Sequence, residues 1–349
     1  MAGMEGTVEP AVQAGLRHSS DIEPGWHRRR QGRGFTYIDE RGRRLSSNRV
    51  RGRIKKLAVP PAWTDVWVCK DGRGHLQATG RDGSGRKQYI YHPHWRAHAD
   101  QVKYGRAIAF AGALPALRRR VDRDLASPGG PTRARVMAAV VRLLDMALMR
   151  VGNPEYREDN GSYGLTTMED RHVEISGPLI SFSYRGKSGR KHELSLENRR
   201  LARIVRQCRD LPGQHLFSFE DSAGDVRQVH SGDVNDYIRE ITGAPHTAKD
   251  FRTWAGTVHT AEELHGGFAA GLQGKEALTA AIASTAGLLG NTAAVCRRSY
   301  VHPRVIASHE AGSFQVEYGS ALETARAGRT WGLRLHETAT RIFLQGECQ

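Results

Sequence analysis

The feature that most constrains how this chain can fold is a change of hydrophobic period near residue 100. Before it, short β-forming runs, Val66–Cys69, His75–Thr79 and Lys87–Tyr91, are joined through Lys70-Asp-Gly72 and Arg81-Asp-Gly83-Ser-Gly85. Such turns favour hairpins, because glycine adopts the positive φ they require. Phe35–Ile38 reads as a further strand, followed by the turn Asp39-Glu-Arg-Gly42. Asn48–Leu57 carries Val50, Ile54 and Leu57 at helical spacing and is stopped by Pro60-Pro61. From about Trp95 helical periodicity takes over. The expected fold class is therefore α+β, with a small β-rich domain over 25–105 and a mainly α-helical domain over 106–312. Residues 1–24, without periodicity, are expected as a mobile lead-in, and 313–349 as a C-terminal extension with an amphipathic stretch near Trp331–Phe343.

Within the second domain, Thr132–Met149 carries Val136, Val140, Leu143, Leu144 and Ala147 on one helical face, and Arg150 stands at its C-terminal end. Ile180, Phe182 and Tyr184 alternate as a strand, turn at Gly186-Lys187-Ser188-Gly189 and return through His192–Leu194. Helices are expected over 196–208, 233–241, 247–264, 275–289 and 293–300, with Pro303 ending or bending the last. Thr247 and Asp250 resemble a capping box.

Charge narrows the partner. Lys and Arg number 52 against 37 Asp and Glu, a formal +15 spread along the whole chain. That favours a polyanion, with binding that falls steeply as salt rises. The four cysteines, Cys69, Cys208, Cys296 and Cys348, show no metal-site spacing, which fits a reducing compartment. No apolar run reaches the roughly 20 residues of a membrane span, and the expected location is cytoplasmic, on the nucleoid.

Tyr300 closes a segment that also carries Asn291, Arg297 and Arg298. A phenol with pKa ~10 needs cations nearby to attack a phosphodiester. Arg150 and Arg252 can each donate two parallel hydrogen bonds to phosphate oxygens and stabilise charge on a pentacoordinate phosphorus. Lys187, at the tip of a glycine-flanked hairpin, can protonate a departing 5′ oxygen. The Asn291 amide can donate to a phosphate oxygen. Taken singly, each residue has an ordinary reading: a packed tyrosine, a helix-capping Arg150, an Arg252 paired with Asp250 or Glu262, a solvated turn lysine, and an Asn291 within a helix N-cap.

In combination, Arg150-Val-Gly, Gly186-Lys187, Lys249-Asp-Phe-Arg252-Thr and Ser299-Tyr300 resemble the type IB DNA topoisomerases, most closely the small poxvirus and bacterial branch. The run from Tyr156 through Asn160 and Tyr163-Gly-Leu-Thr-Thr167 is similar to that family's segment after its first catalytic arginine. His75–Asp82 and Gln88–Tyr91 resemble its N-terminal DNA-clamping domain. The resemblance implies a C-shaped clamp around duplex DNA and a monomeric enzyme. It also implies a 3′-phosphotyrosyl link at Tyr300 with a free 5′ hydroxyl, and relaxation of both supercoil senses without ATP, metal or cofactor. It makes Arg150, Arg252 and Lys187 catalytic, and it places Asn291 where the family usually carries histidine. Gln77, Gln88, Tyr89, Tyr91, Tyr156 and Lys249 become candidates for DNA contact. Two rival readings are a tyrosine recombinase, which usually shows His-x-x-Arg where this chain has Lys249-Asp-Phe-Arg252, and a basic DNA-binding protein with an inert tyrosine.

Overall fold

A five-stranded antiparallel sheet organises the N-terminal residues of the computed structural model, which describes residues 10–328 and 330–346. Its strands are β1 (Trp26–Gln31), β2 (Gly34–Ile38), β3 (Thr64–Val68), β4 (Leu76–Arg81) and β5 (Lys87–Tyr91), in the order β2-β1-β3-β4-β5. The helix α1 (Asn48–Lys56) lies between β2 and β3 in sequence, and Ser47 caps it by accepting from the Val50 N–H. Its Ile54 joins Val66, Val68 and Ala78 in a small core. The basic run beginning at His27 is itself a strand, β1. Extended residues there project alternately to opposite faces, and Trp26 packs on the core while His27 and Arg29, on the other face, are exposed.

Residues 10–24 are packed rather than loose. Ala11, Leu16 and Ser19 are buried, Arg17 bridges Gly74, and the Ser19 hydroxyl donates to the Leu76 carbonyl at 3.0 Å. The apolar anchors are too few and too irregularly spaced to show as a period. Residues 1–9 of the expected lead-in lie outside the described residues.

The chain divides into two compact units, Met1–Tyr104 and Gly105–Gln349, and the division falls inside the 34-residue helix α2 (Pro93–Ala126). The second unit is built around α3 (Arg133–Ala147), whose residues Val136–Val141, Leu143 and Leu144 are all buried. After it come α4 (Pro154–Asn160) and the three-stranded sheet β6 (Val173–Ser176), β7 (Leu179–Arg185) and β8 (Lys191–Glu197). Next are α5 (Arg199–Arg209), the small hairpin β9 (Ser218–Glu220) and β10 (Val226–Gln228), α6 (Ser231–Thr242) and α7 (Ala248–Ala269). The chain continues through α8 (Gly274–Leu289), α9 (Ala293–Ser299) and α10 (Pro303–Glu310), and ends in α11 (Phe314–Ala327) and α12 (Leu335–Gln345). Pro303 opens α10 at a position where its missing N–H costs nothing, and His302 caps it.

The extension is part of the core: Phe314, Tyr318, Phe343 and Leu344 are buried. Arg118 of α2 binds Asp145 at 2.8 Å, Glu337 at 2.7 Å and the Gly332 carbonyl at 2.7 Å, tying α2, the end of α3 and the start of α12 together.

Three turns share one design. In 39–43, 82–86 and 221–225 the first residue is aspartate and the fourth is a glycine at positive φ, Gly42, Gly85 or Gly224. The Asp side chain accepts the N–H groups of the third and fifth residues at 2.9 to 3.0 Å in every case.

Candidate active site

Four helix ends and one hairpin assemble the site within the second unit. α3 stops at Leu148, which adopts φ 51 in the left-handed region, an uncommon state for leucine. The next residues, including Arg150, are fixed by backbone bonds: Leu165 N–H to the Arg150 carbonyl at 2.9 Å and Thr166 N–H to Val151 at 2.7 Å. Gly152 and Gly164 allow this approach. A Cβ on Gly164 would lie 2.6 Å from the Gly152 backbone and 2.8 Å from the Arg150 carbonyl. This gives the Arg150-Val-Gly and Gly-Leu-Thr-Thr sequences a shared physical role.

Arg252, on the first turns of α7, is buried, with 6% of its surface exposed. Its guanidinium donates to the Leu148 carbonyl and, at 2.7 Å, to the Leu289 carbonyl, so one cation closes the C-terminal ends of α3 and α8. It also lies 5.2 Å from the centre of the Tyr300 ring. One of the two anticipated acid partners, Asp250, is taken elsewhere: it binds Arg106 at 2.9 Å and the Thr247 N–H at 2.7 Å. A guanidinium has five N–H donors, so two carbonyl bonds leave others available.

Gly290 ends α8 at φ 58, Thr292 caps α9 by accepting from Val295, and the two helices meet at 94°. Asn291 sits at that corner between the caps. Arg150 donates to its side-chain oxygen at 2.6 Å. Because arginine can only donate, this contact identifies the oxygen and leaves the Asn291 NH2 as a donor. That nitrogen is buried and unbonded among the described residues.

Tyr300 follows α9, half-buried, with its backbone gripped by α7. The Thr257 hydroxyl donates to the Tyr300 carbonyl at 3.2 Å, and a Cβ on Gly256 would come within 2.9 Å of that carbonyl oxygen. Burial and the neighbouring Arg252 lower the Arg150 pKa, while Tyr300 and Tyr184 act in the opposite direction. Burial raises the Tyr184 phenol, and Arg150 and Arg252 pull it back.

Lys187 begins a 3-10 turn between β7 and β8 and is exposed. The adjoining Arg190 donates to the Asn291 carbonyl at 3.4 Å. A cleft of about 580 Å3 opens along this hairpin, lined by Tyr163, Arg171, Tyr184, Arg185 and Lys191 among others, a cationic surface suited to a polyanion.

Arg150, Arg252, Asn291 and Tyr300 are thus brought together, although they are 150 residues apart in sequence. The other candidates divide. Tyr89 is exposed and stacks on the half-buried Tyr91 with ring centres 6.0 Å apart. Gln88 donates to Asp82 at 2.9 Å, and Lys249 is exposed on the first turn of α7. Gln77 differs from expectation: it is buried, its NH2 donates to the Gly74 carbonyl at 2.7 Å, and its oxygen accepts from Arg53 at 3.2 Å. Its amide holds the 71–74 turn. Alternation along β4 does not predict this, since every residue from Leu76 to Gly80 is buried. The Tyr156 side chain lies outside the described residues. His192, Arg190, Gly256 and Thr257 border the site without having been singled out. His192 alternates with Leu194 and Leu196 on β8, which was the available signal.

Comparison with known proteins places the chain in a family. Residues 92–320 match the model of the eukaryotic DNA topoisomerase I catalytic core, and residues 34–82 that of the bacterial DNA topoisomerase IB N-terminal domain. The chain is 32% identical over 286 residues to DNA topoisomerase 1B of Acanthamoeba polyphaga mimivirus, covering 79% of this chain and 85% of the viral protein. It is 25% identical over 176 residues to DNA topoisomerase 1B of Vaccinia virus (strain Copenhagen), covering 47% and 54%. Against DNA topoisomerase 1 of Mycosarcoma maydis it is 23% identical over 224 residues, covering 57% and 22%. With well over half of its length in the catalytic-core match and that degree of identity to the mimivirus protein, the chain belongs to the type IB DNA topoisomerases.

Proposed function

We propose that Tyr300 is the nucleophile of this topoisomerase. Its phenolic oxygen bonds to a backbone phosphorus, its proton passes to water, and the bond from phosphorus to the 5′ oxygen breaks. Lys187 gives a proton to that oxygen, leaving a 3′-phosphotyrosyl link and a free 5′ hydroxyl. Arg150, Arg252 and the Asn291 NH2 donate to the phosphate oxygens as charge builds on them. The broken strand swivels, and the 5′ hydroxyl then attacks phosphorus to restore the backbone. The bond exchange conserves the phosphodiester's energy, so relaxation of either supercoil sense proceeds without ATP or metal.

The observation that supports this most is the Arg150–Asn291 contact beside a guanidinium 5.2 Å from the Tyr300 ring centre. It turns one amide donor away from the arginine, and that donor is buried without an acceptor. A phosphate oxygen would supply the acceptor and remove the cost of leaving it unbonded. We further propose that the protein acts as a monomer on nucleoid DNA. Its net +15 would then make affinity fall steeply between low and moderate salt.

The test is plasmid relaxation in EDTA without ATP, comparing wild type with Tyr300→Phe and quenching with SDS to trap covalent complexes. Relaxation and a 3′ adduct that both require Tyr300 are expected. Equal activity in Tyr300→Phe would remove the phenol from the mechanism.

A further inference from the structure

His192 stands directly across the hairpin from Tyr184, with the two rings stacked at 5.2 Å between centroids and 14° between planes. One edge of the imidazole lies under the Lys187 turn: a Cβ on Gly186 would be 2.5 Å from its Cδ2 and 2.7 Å from its Nε2. The other edge faces the Asn291 corner, where a Cβ on Gly290 would be 2.7 Å from its Cε1. The ring therefore fills the space between the two turns that carry Lys187 and Asn291, and glycine is present at both contacts. Burial first, and then the cations Arg150, Arg252 and Arg190, lower the imidazole pKa from its ordinary value.

The Gly186 turn repeats the backbone of the three aspartate turns. Gly186 N–H bonds the Arg190 carbonyl at 2.8 Å, Gly189 N–H bonds the Gly186 carbonyl at 3.1 Å, and Gly189 has φ 71. The corresponding bonds at 82–86 are both 2.9 Å. Only the opening aspartate is missing, and the direction in which its side chain would leave the backbone is blocked by His192.

We propose that His192 is a positioning residue, a ring wedged between two turns so that Lys187 and Asn291 address the same phosphate. This rests on the reading of Lys187 as general acid. The measurement is single-turnover cleavage of duplexes carrying either oxygen or sulfur as the 5′ bridging atom at the mapped cleavage position. A thiolate leaves without a proton, so sulfur bypasses the acid. His192→Ala is expected to lose about 10- to 100-fold with oxygen, part of the ~10²–10⁴ a general acid contributes, and to come within about 3-fold of wild type with sulfur. In a Lys187→Ala background the same substitution should add less than about 3-fold, because residues acting through one another are not additive. Gly186→Ala displaces the ring from the other side, at a backbone φ of −93 that alanine accepts, and should give the same pattern if His192→Ala folds poorly. Equal losses with both leaving groups, or multiplying losses in the double variant, would overturn the role of His192. If Lys187→Ala itself is not rescued by sulfur, the acid assignment fails first, and that result is visible without any His192 variant.

Discussion

The turn at 82–86 and the turn at 186–190 follow the same backbone path, yet one opens with Asp82 and the other with Gly186. In the first, the carboxylate accepts the Ser84 and Arg86 N–H groups and binds the Arg86 guanidinium at 3.0 Å. In the second, the opening residue has no side chain, and the His192 ring occupies the space one would take. The same contrast holds more widely. Arginines on or beside surface turns pair with aspartates, as Arg43 does with Asp39 and Arg227 with Asp221. Arg150, Arg190 and Arg252 instead bond amide or carbonyl oxygens, and none of the ion pairs among the described residues includes them. Carboxylates are used where a loop must be shaped. Neutral oxygens hold Arg150, Arg190 and Arg252, and these compete less with the proposed phosphate than a resident anion would.

This comparison can be broken at the site. Asn291→Asp keeps the shape and the Arg150 contact but replaces the buried donor by a negative charge. It should slow single-turnover cleavage by about 10³-fold, well beyond the ~10-fold expected for Asn291→Ala, which should leave DNA binding intact. Similar rates for the two variants would mean that charge at this corner is unimportant. Gly186→Asp installs the acid that the other turns carry, against the His192 ring and beside Lys187. A loss of about 10²-fold in cleavage is expected, and a near-normal rate would show that the turn tolerates a carboxylate.

The converse change should matter little to chemistry. Asp221→Ala removes the carboxylate that accepts the Ala223 and Asp225 N–H groups. It should lower the melting temperature by about 1–2 °C and leave cleavage unchanged. A cleavage defect would show that the shaping turns also serve the site.

The smallest effect concerns pH. His302 caps α10 by accepting the Arg304 N–H at 3.1 Å, and burial, with Arg304 adding to it, pushes its pKa down to about 4. Its ordinary value is ~6.5, so the unfolded chain takes up the proton first as pH falls. The cap's contribution is complete above pH ~6.5 and is lost progressively toward pH 4. Melting temperature should fall over that window, and His302→Asn, a capping residue that does not titrate, should flatten the change.

Local chemistry made several parts legible. The turns at 39–42 and 81–85, the β7–β8 hairpin with Lys187 at its tip and α3 were readable because their signals lie within a few residues. Gln77 was misplaced because β4 is buried on both faces, so alternation says nothing about which side chains reach the surface. The extension was silent because α11 and α12 owe their places to contacts with distant residues, Arg118 with Glu337 among them.

Sequence alone pointed to the family and proposed its chemistry: a tyrosine, two arginines, a lysine and an asparagine in fixed order within a strongly basic α+β chain. Tertiary structure decided how they are held. Arg252 closes two helix ends, an amide is turned by Arg150, and a histidine ring separates two glycine turns. These are contacts between residues 37 to 141 positions apart, or close approaches that only a missing Cβ permits. No local period encodes either kind, because each depends on where the backbone returns in space.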